Sequence, residues 1–190
     1  HAPLASINLE VTNPNLAGLP LRKLPTLRDS GAVVSRFSRG GVASVPRPET
    51  ALQLGDMLHV VGPREALDAL KVIVGVESPV DVKALPGDIV ARQVIVTRHA
   101  PLGKTIDELA LSARFGVTVT RVHRSGIELP VKPELGVHYA DSLVVVGPSE
   151  GIDRVAAELG DSQKLLQHPH VIPIFVALLL GVLLGSMPLY

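Results

Sequence analysis

The sequence predicts an α/β (α+β) fold built from two copies of one β-α-β-β-β-α module, followed by a transmembrane helix. Three observations carry that prediction. Sliding the chain by 85 positions without a gap lays Val11–Gly75 on Val96–Gly160, with twenty of 65 pairs identical. Within each copy, short β-branched runs alternate with stretches of helical apolar spacing. The segment 171–190 reads VIPIFVALLLGVLLGSMPLY and contains no charged residue.

The repeat comes first because self-similarity at a fixed offset decides the architecture. The identities fall where backbone geometry needs them. Val11-Thr12 matches Val96-Thr97, and Gly18, Gly31, Gly41 and Gly75 match Gly103, Gly116, Gly126 and Gly160. Arg36 and Arg39 match Arg121 and Arg124, while Asp56 and Leu58 match Asp141 and Leu143. Val60-Val61-Gly62-Pro63 recurs as Val145-Val146-Gly147-Pro148.

Each element can be placed in order. Ile7–Thr12 and Gln93–Thr97 are strands by their β-branched content. Leu21–Asp29 and Thr105–Arg114 have helical spacing and stop before Gly31 and Gly116, which suit a helix C-cap. Thr105 with Glu108 forms a capping box. Ala32–Ser38 and Val117–His123 alternate as half-buried strands. Arg39-Gly40-Gly41 and Arg124-Ser125-Gly126 supply hairpin turns. Asp56 and Asp141 close tight turns before the strands Met57–Val61 and Ser142–Val146. The Gly-Pro after each strand opens the last helices, Pro63–Val74 and Pro148–Leu159. The expected layout is module 1 over 1–75, a linker over 76–88 marked by Pro79, Pro86 and Gly87, and module 2 over 89–160. A connector over 161–170 then leads to a membrane domain starting at 171. A 20-residue helix just spans the roughly 30 Å hydrocarbon layer, and Gly181 with Gly185 gives the close-approach G-x-x-x-G spacing. The chain begins with His1, and the expectation is a piece of a longer protein.

Composition excludes several function classes. Lys plus Arg equals Asp plus Glu at 18 each, so no general electrostatic attraction to nucleic acid exists. Aromatics make up 3 % and Trp is absent, which removes base-stacking platforms. With no Cys there are no disulfides, thiolate zinc sites or thiol nucleophiles. The seven His residues are dispersed, and His168-Pro169-His170 has no third ligand nearby, so no metal site is expected. Gly103-Lys104-Thr105 lacks the first glycine of a phosphate loop and reads as a turn with a helix cap. No catalytic residue and no cofactor are expected, and enzyme activity within this segment is not.

The residues that invite a binding reading are the paired arginines. Arg36 and Arg39, like Arg121 and Arg124, sit at i and i+3 on a strand end, and so project from opposite faces unless a twist intervenes. One reading is a solvated strand end; the other is a guanidinium fork for an anionic ligand or an acidic partner. Asn13 and Asn15 are candidates to add hydrogen bonds, although Asn-Pro-Asn is also turn chemistry.

The pattern V-T-x(5)-G, helix, G-A/V-x-V-x-R-x-x-R-x-G, P-E, D-x-L-x-V-V-G-P resembles the TrkA-C (RCK C-terminal) domain. Two such modules running into H-P-H-V-I-P-I-F resemble the aspartate:alanine exchanger family (AspT/YidE/YbjL-like), in which a tandem of this kind separates two membrane halves. The resemblance implies a cytosolic regulatory segment of a multi-pass bacterial inner-membrane transporter or antiporter, for a small anion or amino acid or linked to a cation such as potassium. It also implies a homodimer through the modules and a possible small-molecule ligand such as cyclic di-adenosine monophosphate. The alternative is a structural dimerisation module that orients the membrane halves without a ligand. Copy two departs from copy one at Arg98-His99-Ala100-Pro101, opposite Asn13-Pro14-Asn15-Leu16, so a site in the first loop need not be shared.

Overall fold

The computed structural model describes residues 4–27 and 29–161. The expected membrane helix at 171–190 lies outside the described residues, and among those described no helix is long and apolar enough to cross a membrane.

The first module is an antiparallel sheet of β1 (Ala5–Val11), β2 (Val33–Arg39), β3 (Val42–Ser44), β4 (Met57–Gly62) and β5 (Gly75–Glu77), ordered β3-β2-β4-β1-β5. The helix α1 (Arg64–Val74) covers one face. Its Leu67, Leu70 and Val74 join Leu9, Val11, Leu58 and Val60 in one buried cluster. The second module repeats this with β6 (Val90–Ile95), β7 (Thr118–Arg124), β8 (Ile127–Leu129) and β9 (Ser142–Gly147), ordered β6-β9-β7-β8. Here α4 (Ser149–Leu159) places Ile152, Val155 and Leu159 against Val94, Val96, Leu143 and Val145. The result is a mixed α+β fold with two antiparallel sheets.

The structure corrects the first expected helix. Among its described residues Leu21–Asp29 forms a single 3-10 turn, Leu21–Lys23, rather than an α-helix, and another such turn precedes it at Pro14–Leu16. Pro25 is the reason, since it has no N–H to donate and its ring clashes with the preceding turn. In copy two the same stretch carries Ala110 and makes two short helices, α2 (Ile106–Leu109) and α3 (Leu111–Phe115). They are separated by Ala110 in the left-handed region, at φ 47°. The capping box at Thr105 and Glu108 forms as expected, at 3.2 Å and 2.8 Å.

The linker is a strap rather than a loose tether. Its start forms β5 on the outer edge of β1. Ser78 N–H then donates to the Asn8 carbonyl, and Ala43 N–H donates to the Pro86 carbonyl. Val82, between them, is fully buried.

The two modules pack on one another through β2 and β7. Val33 of the first module packs into the core of the second. Gly31 lies so close to Pro130 that a Cβ on it would stand 2.8 Å from the proline Cβ. The equivalent Gly116 faces open space, so the pairing is only approximately twofold.

Candidate functional site

Both β2 and β7 carry a bulge, between Val34 and Arg36 and between Val119 and Arg121. The extra residue in each is a small hydroxyl side chain that turns inward. Ser35 donates to the His59 carbonyl at 3.2 Å, and Thr120 donates to the Val144 carbonyl at 3.3 Å. The bulge re-aims the side chains beyond it, and the two arginines of each pair meet different surroundings.

Arg39 and Arg124 reach buried carboxylates. Arg39 Nε and Nη2 donate to both oxygens of Asp56 at 2.8 and 2.7 Å. Arg124 does the same to Asp141 at 2.8 and 2.8 Å. Each arginine also donates to a carbonyl of the preceding loop, Ala51 or Gly136. Each carboxylate in turn accepts from a turn N–H, that of Gln53 or His138. Both aspartates are 1 % exposed, and the hydrogen bonds to them raise the pKa of Arg39 and Arg124. This two-pronged geometry satisfies a buried charge and ties the hairpin tip to the turn before the long strand. The turn role expected for the aspartates is present, and the arginine partner is added to it. The signal was in the sequence: the 17-residue spacing from arginine to aspartate is the same in both copies.

Arg36 and Arg121 are placed differently. Arg36 stands opposite His59 in the ladder, and His59 stands opposite Asn8, so the three form a polar row across the sheet. His59 Nδ1 lies 2.8 Å from Asn8 Oδ1. Burial holds the His59 pKa down at about 4, helped by the charges of Lys83 in the strap and Arg36. Arg36 makes no side-chain hydrogen bond among the described residues; burial lowers its pKa, and Asp81 of the strap partly offsets this. Arg121 donates to Glu128 at 2.9 Å. Asn13 is occupied as a turn cap, accepting from Asn15 N–H and donating to the Ile73 carbonyl, while Asn15 offers an exposed side chain.

An opening walled largely by apolar side chains lies elsewhere, between the two modules. It has a volume of about 460 Å³, and its walls are repeat-equivalent residues. Leu21 faces it with Ile106, Ala32 with Val117, Val33 with Thr118, Val34 with Val119, and Pro48 with Pro133. Among the described residues its charged members are also equivalents, Arg22 and Asp107, and they differ in sign. None of the six residues singled out from the sequence lines this cleft. It could not be read from the chain because it exists only once the two copies pair.

Comparison with known proteins agrees with this architecture. The TrkA-C domain model matches residues 5–75 and 91–160. A protein of Klebsiella pneumoniae (strain 342) named "Putative transport protein" is 40 % identical over 190 residues, covering 100 % of this chain and 34 % of the relative. A protein of the same name from Yersinia pestis (strain Pestoides F) is 40 % identical over 187 residues, covering 98 % of this chain and 34 % of the relative. The chain thus spans about a third of the length of these relatives. Among solved structures, the RCK domain of GsuK is 12 % identical and covers 82 % of this chain and 64 % of its own, with a TM-score of 0.39. The RCK_C domain dimer of S. agalactiae BusR in complex with c-di-AMP is 22 % identical and covers 39 % of this chain and 94 % of its own, with a TM-score of 0.36. The two matched segments account for most of the sequence, and they coincide with the two sheets: the chain is a tandem pair of TrkA-C domains and belongs to that family.

Proposed function

We propose that the tandem is the ligand-sensing regulatory segment of a bacterial membrane transporter of the aspartate:alanine exchanger type, and that a small ligand bound between the domains biases the transporter between states. The observation that supports this reading most is the cleft of about 460 Å³ walled by both domains. A ligand there touches both copies, so its binding energy depends on how they sit together. That is the requirement for a regulator: it must have unequal affinity for two arrangements. Among the described residues the walls are mainly apolar and carry the charges of Arg22 and Asp107, which suits a ligand with flat apolar faces and a few charged groups. Arg36 and Arg121 belong to the proposal as a second tier. Arg36 is the candidate for an anionic group because among the described residues no side chain claims it by a hydrogen bond, whereas Arg39 and Arg124 already hold carboxylates. The whole protein would sit in the inner membrane as a multi-pass antiporter, with this segment on the cytosolic side and a second copy as its partner.

The test is thermal unfolding in detergent against cyclic dinucleotides, adenine nucleotides, aspartate, alanine and potassium salts. A ligand at about 100 times its Kd stabilises the fold by about 2.7 kcal/mol, a shift of several degrees. Loss of that shift in Arg22→Ala places the ligand in the cleft, and loss in Arg36→Ala or Arg121→Ala places it at the arginines. No shift with any compound, together with a stable dimer, favours the structural alternative.

A further inference from the structure

The two domains differ in charge at one end of their sheets. In each, the Arg–Asp pair clamps the hairpin tip against the turn before the long strand. Two large apolar side chains stand exposed there: Val42 and Leu54 in the first domain, Ile127 and Tyr139 in the second. Around them, the first domain carries Asn13, Pro14, Leu19 and Gln53, none of them charged. The equivalent positions of the second domain are Arg98, His99, Lys104 and His138, all exposed. The fold brings these together. Val137 N–H donates to the Lys104 carbonyl, Ala140 N–H donates to the Val96 carbonyl, and the rings of His99 and Tyr139 stack at 6.4 Å. Residues 96–104 and 136–141 include a single carboxylate, Asp141, and Arg124 already holds it; of those on the border, Glu108 accepts from Thr105 N–H, Asp161 from Ile95 N–H and Glu128 from Arg121. At these four positions the second domain thus exposes two cations and two histidines beside an exposed tyrosine and isoleucine, where the first domain exposes no charge.

The path of the chain says which surface such an end meets. Leu4 N–H contacts Glu128, next to Ile127 on the β8 edge, at 3.4 Å. Asp161 N–H donates to the Ile95 carbonyl on the β6 edge. Leu4 and Asp161 thus both lie on the edges of the second domain. The uncharged stretch 171–190 begins ten positions after Asp161, within about 35 Å even if fully extended.

We propose that this end of the second domain docks on the anionic headgroup surface of the membrane. Arg98 and Lys104 would face lipid phosphates while Tyr139 and Ile127 enter the interface, and the matching end of the first domain would stay in water. Basic side chains are drawn to an anionic leaflet, and tyrosine concentrates at the headgroup level. The inference rests on the membrane-transport reading above.

The experiment uses the full-length protein in nanodiscs of phosphatidylglycerol and phosphatidylethanolamine. Spin labels are attached at Tyr139→Cys and Ile127→Cys, and for comparison at Leu54→Cys and Val42→Cys, in an otherwise cysteine-free protein. Labels at 139 and 127 are expected to be several-fold less accessible to a water-soluble nickel chelate than those at 54 and 42. Arg98→Glu with Lys104→Glu, or phosphatidylcholine discs, should abolish that protection. Equal accessibility at all four positions overturns the proposal. So does protection that survives both the charge reversal and the change of lipid, which would mean contact with the protein's own membrane part. Failure of the full-length protein to insert into discs would instead overturn the transport reading, and this proposal with it.

Discussion

The two domains share a sheet order and a clamp, yet they solve their first connection and their surfaces differently. Where the first has Pro25 and two 3-10 turns, the second has a capped helix pair. Where the first buries His59, the second has Val144. What is common to both is what the fold needs: the strand register, the bulge with its inward hydroxyl, and the Arg–Asp clamp. What differs lies at positions the shared backbone leaves free, and those are the places where a duplicated domain can take on a separate task.

Substitutions at a few positions sharpen that comparison, in descending order of expected effect. Arg124→Ala and Arg39→Ala each strip a buried carboxylate of its charged partner, at a cost of about 3 kcal/mol in chemical unfolding. The second domain should lose more, since Arg124 is 27 % exposed against 42 % for Arg39. Equal small losses would show that both clamps are solvated.

The pH dependence comes next. His59 is held neutral with a pKa of about 4, against about 6.5 in an unfolded chain. The unfolded chain therefore binds more protons between those values. Stability is fully present above about pH 6.5 and falls as the pH drops toward 4, by up to about 3 kcal/mol. His59→Val installs the second domain's residue, and the slope of stability against pH in that window should flatten.

Smaller effects test the packing asymmetry. Gly31→Ala meets both a left-handed backbone at φ 74° and the ring of Pro130. Gly116→Ala meets only the backbone cost at φ 66°, about 1 kcal/mol. The first should exceed the second by at least that amount, and similar values would mean that the domains separate easily. Smallest of all, Thr105→Ala removes the capping box for about 1 kcal/mol, with no counterpart in the first domain, where Pro20 offers no side-chain cap.

Much of this architecture is readable in the chain because duplication doubles every signal. The strands, the hairpins and both long helices follow from alternation, glycine and the repeated Gly-Pro. The first helix of each copy is the exception: in copy one, apolar spacing at Leu21, Leu24 and Leu27 suggests a helix, whereas the backbone obeys Pro25, and in copy two the single helix expected over Thr105–Arg114 breaks at Ala110. The site is less accessible. Arg36, Arg39, Arg121 and Arg124 stand out by repetition, but the bulge that separates their surroundings depends on a hydrogen bond from Ser35 or Thr120 that no pattern announces. The cleft at Arg22 and Asp107 is a property of two surfaces meeting, and neither copy contains it alone.

Pairing within one chain changes the arithmetic of the site. Two separate domains would have to find each other, and their cleft would fill only above a threshold of protein. Joined by a strap of about a dozen residues, they face each other at an effective concentration fixed by the tether, whatever the level of expression. Each chain then owns one complete cleft, so the ligand-sensing proposal predicts a stoichiometry of one ligand per chain. The two walls are also encoded separately. A substitution at Arg22 changes one wall and leaves Asp107 alone, a freedom that a cleft between two identical chains never has.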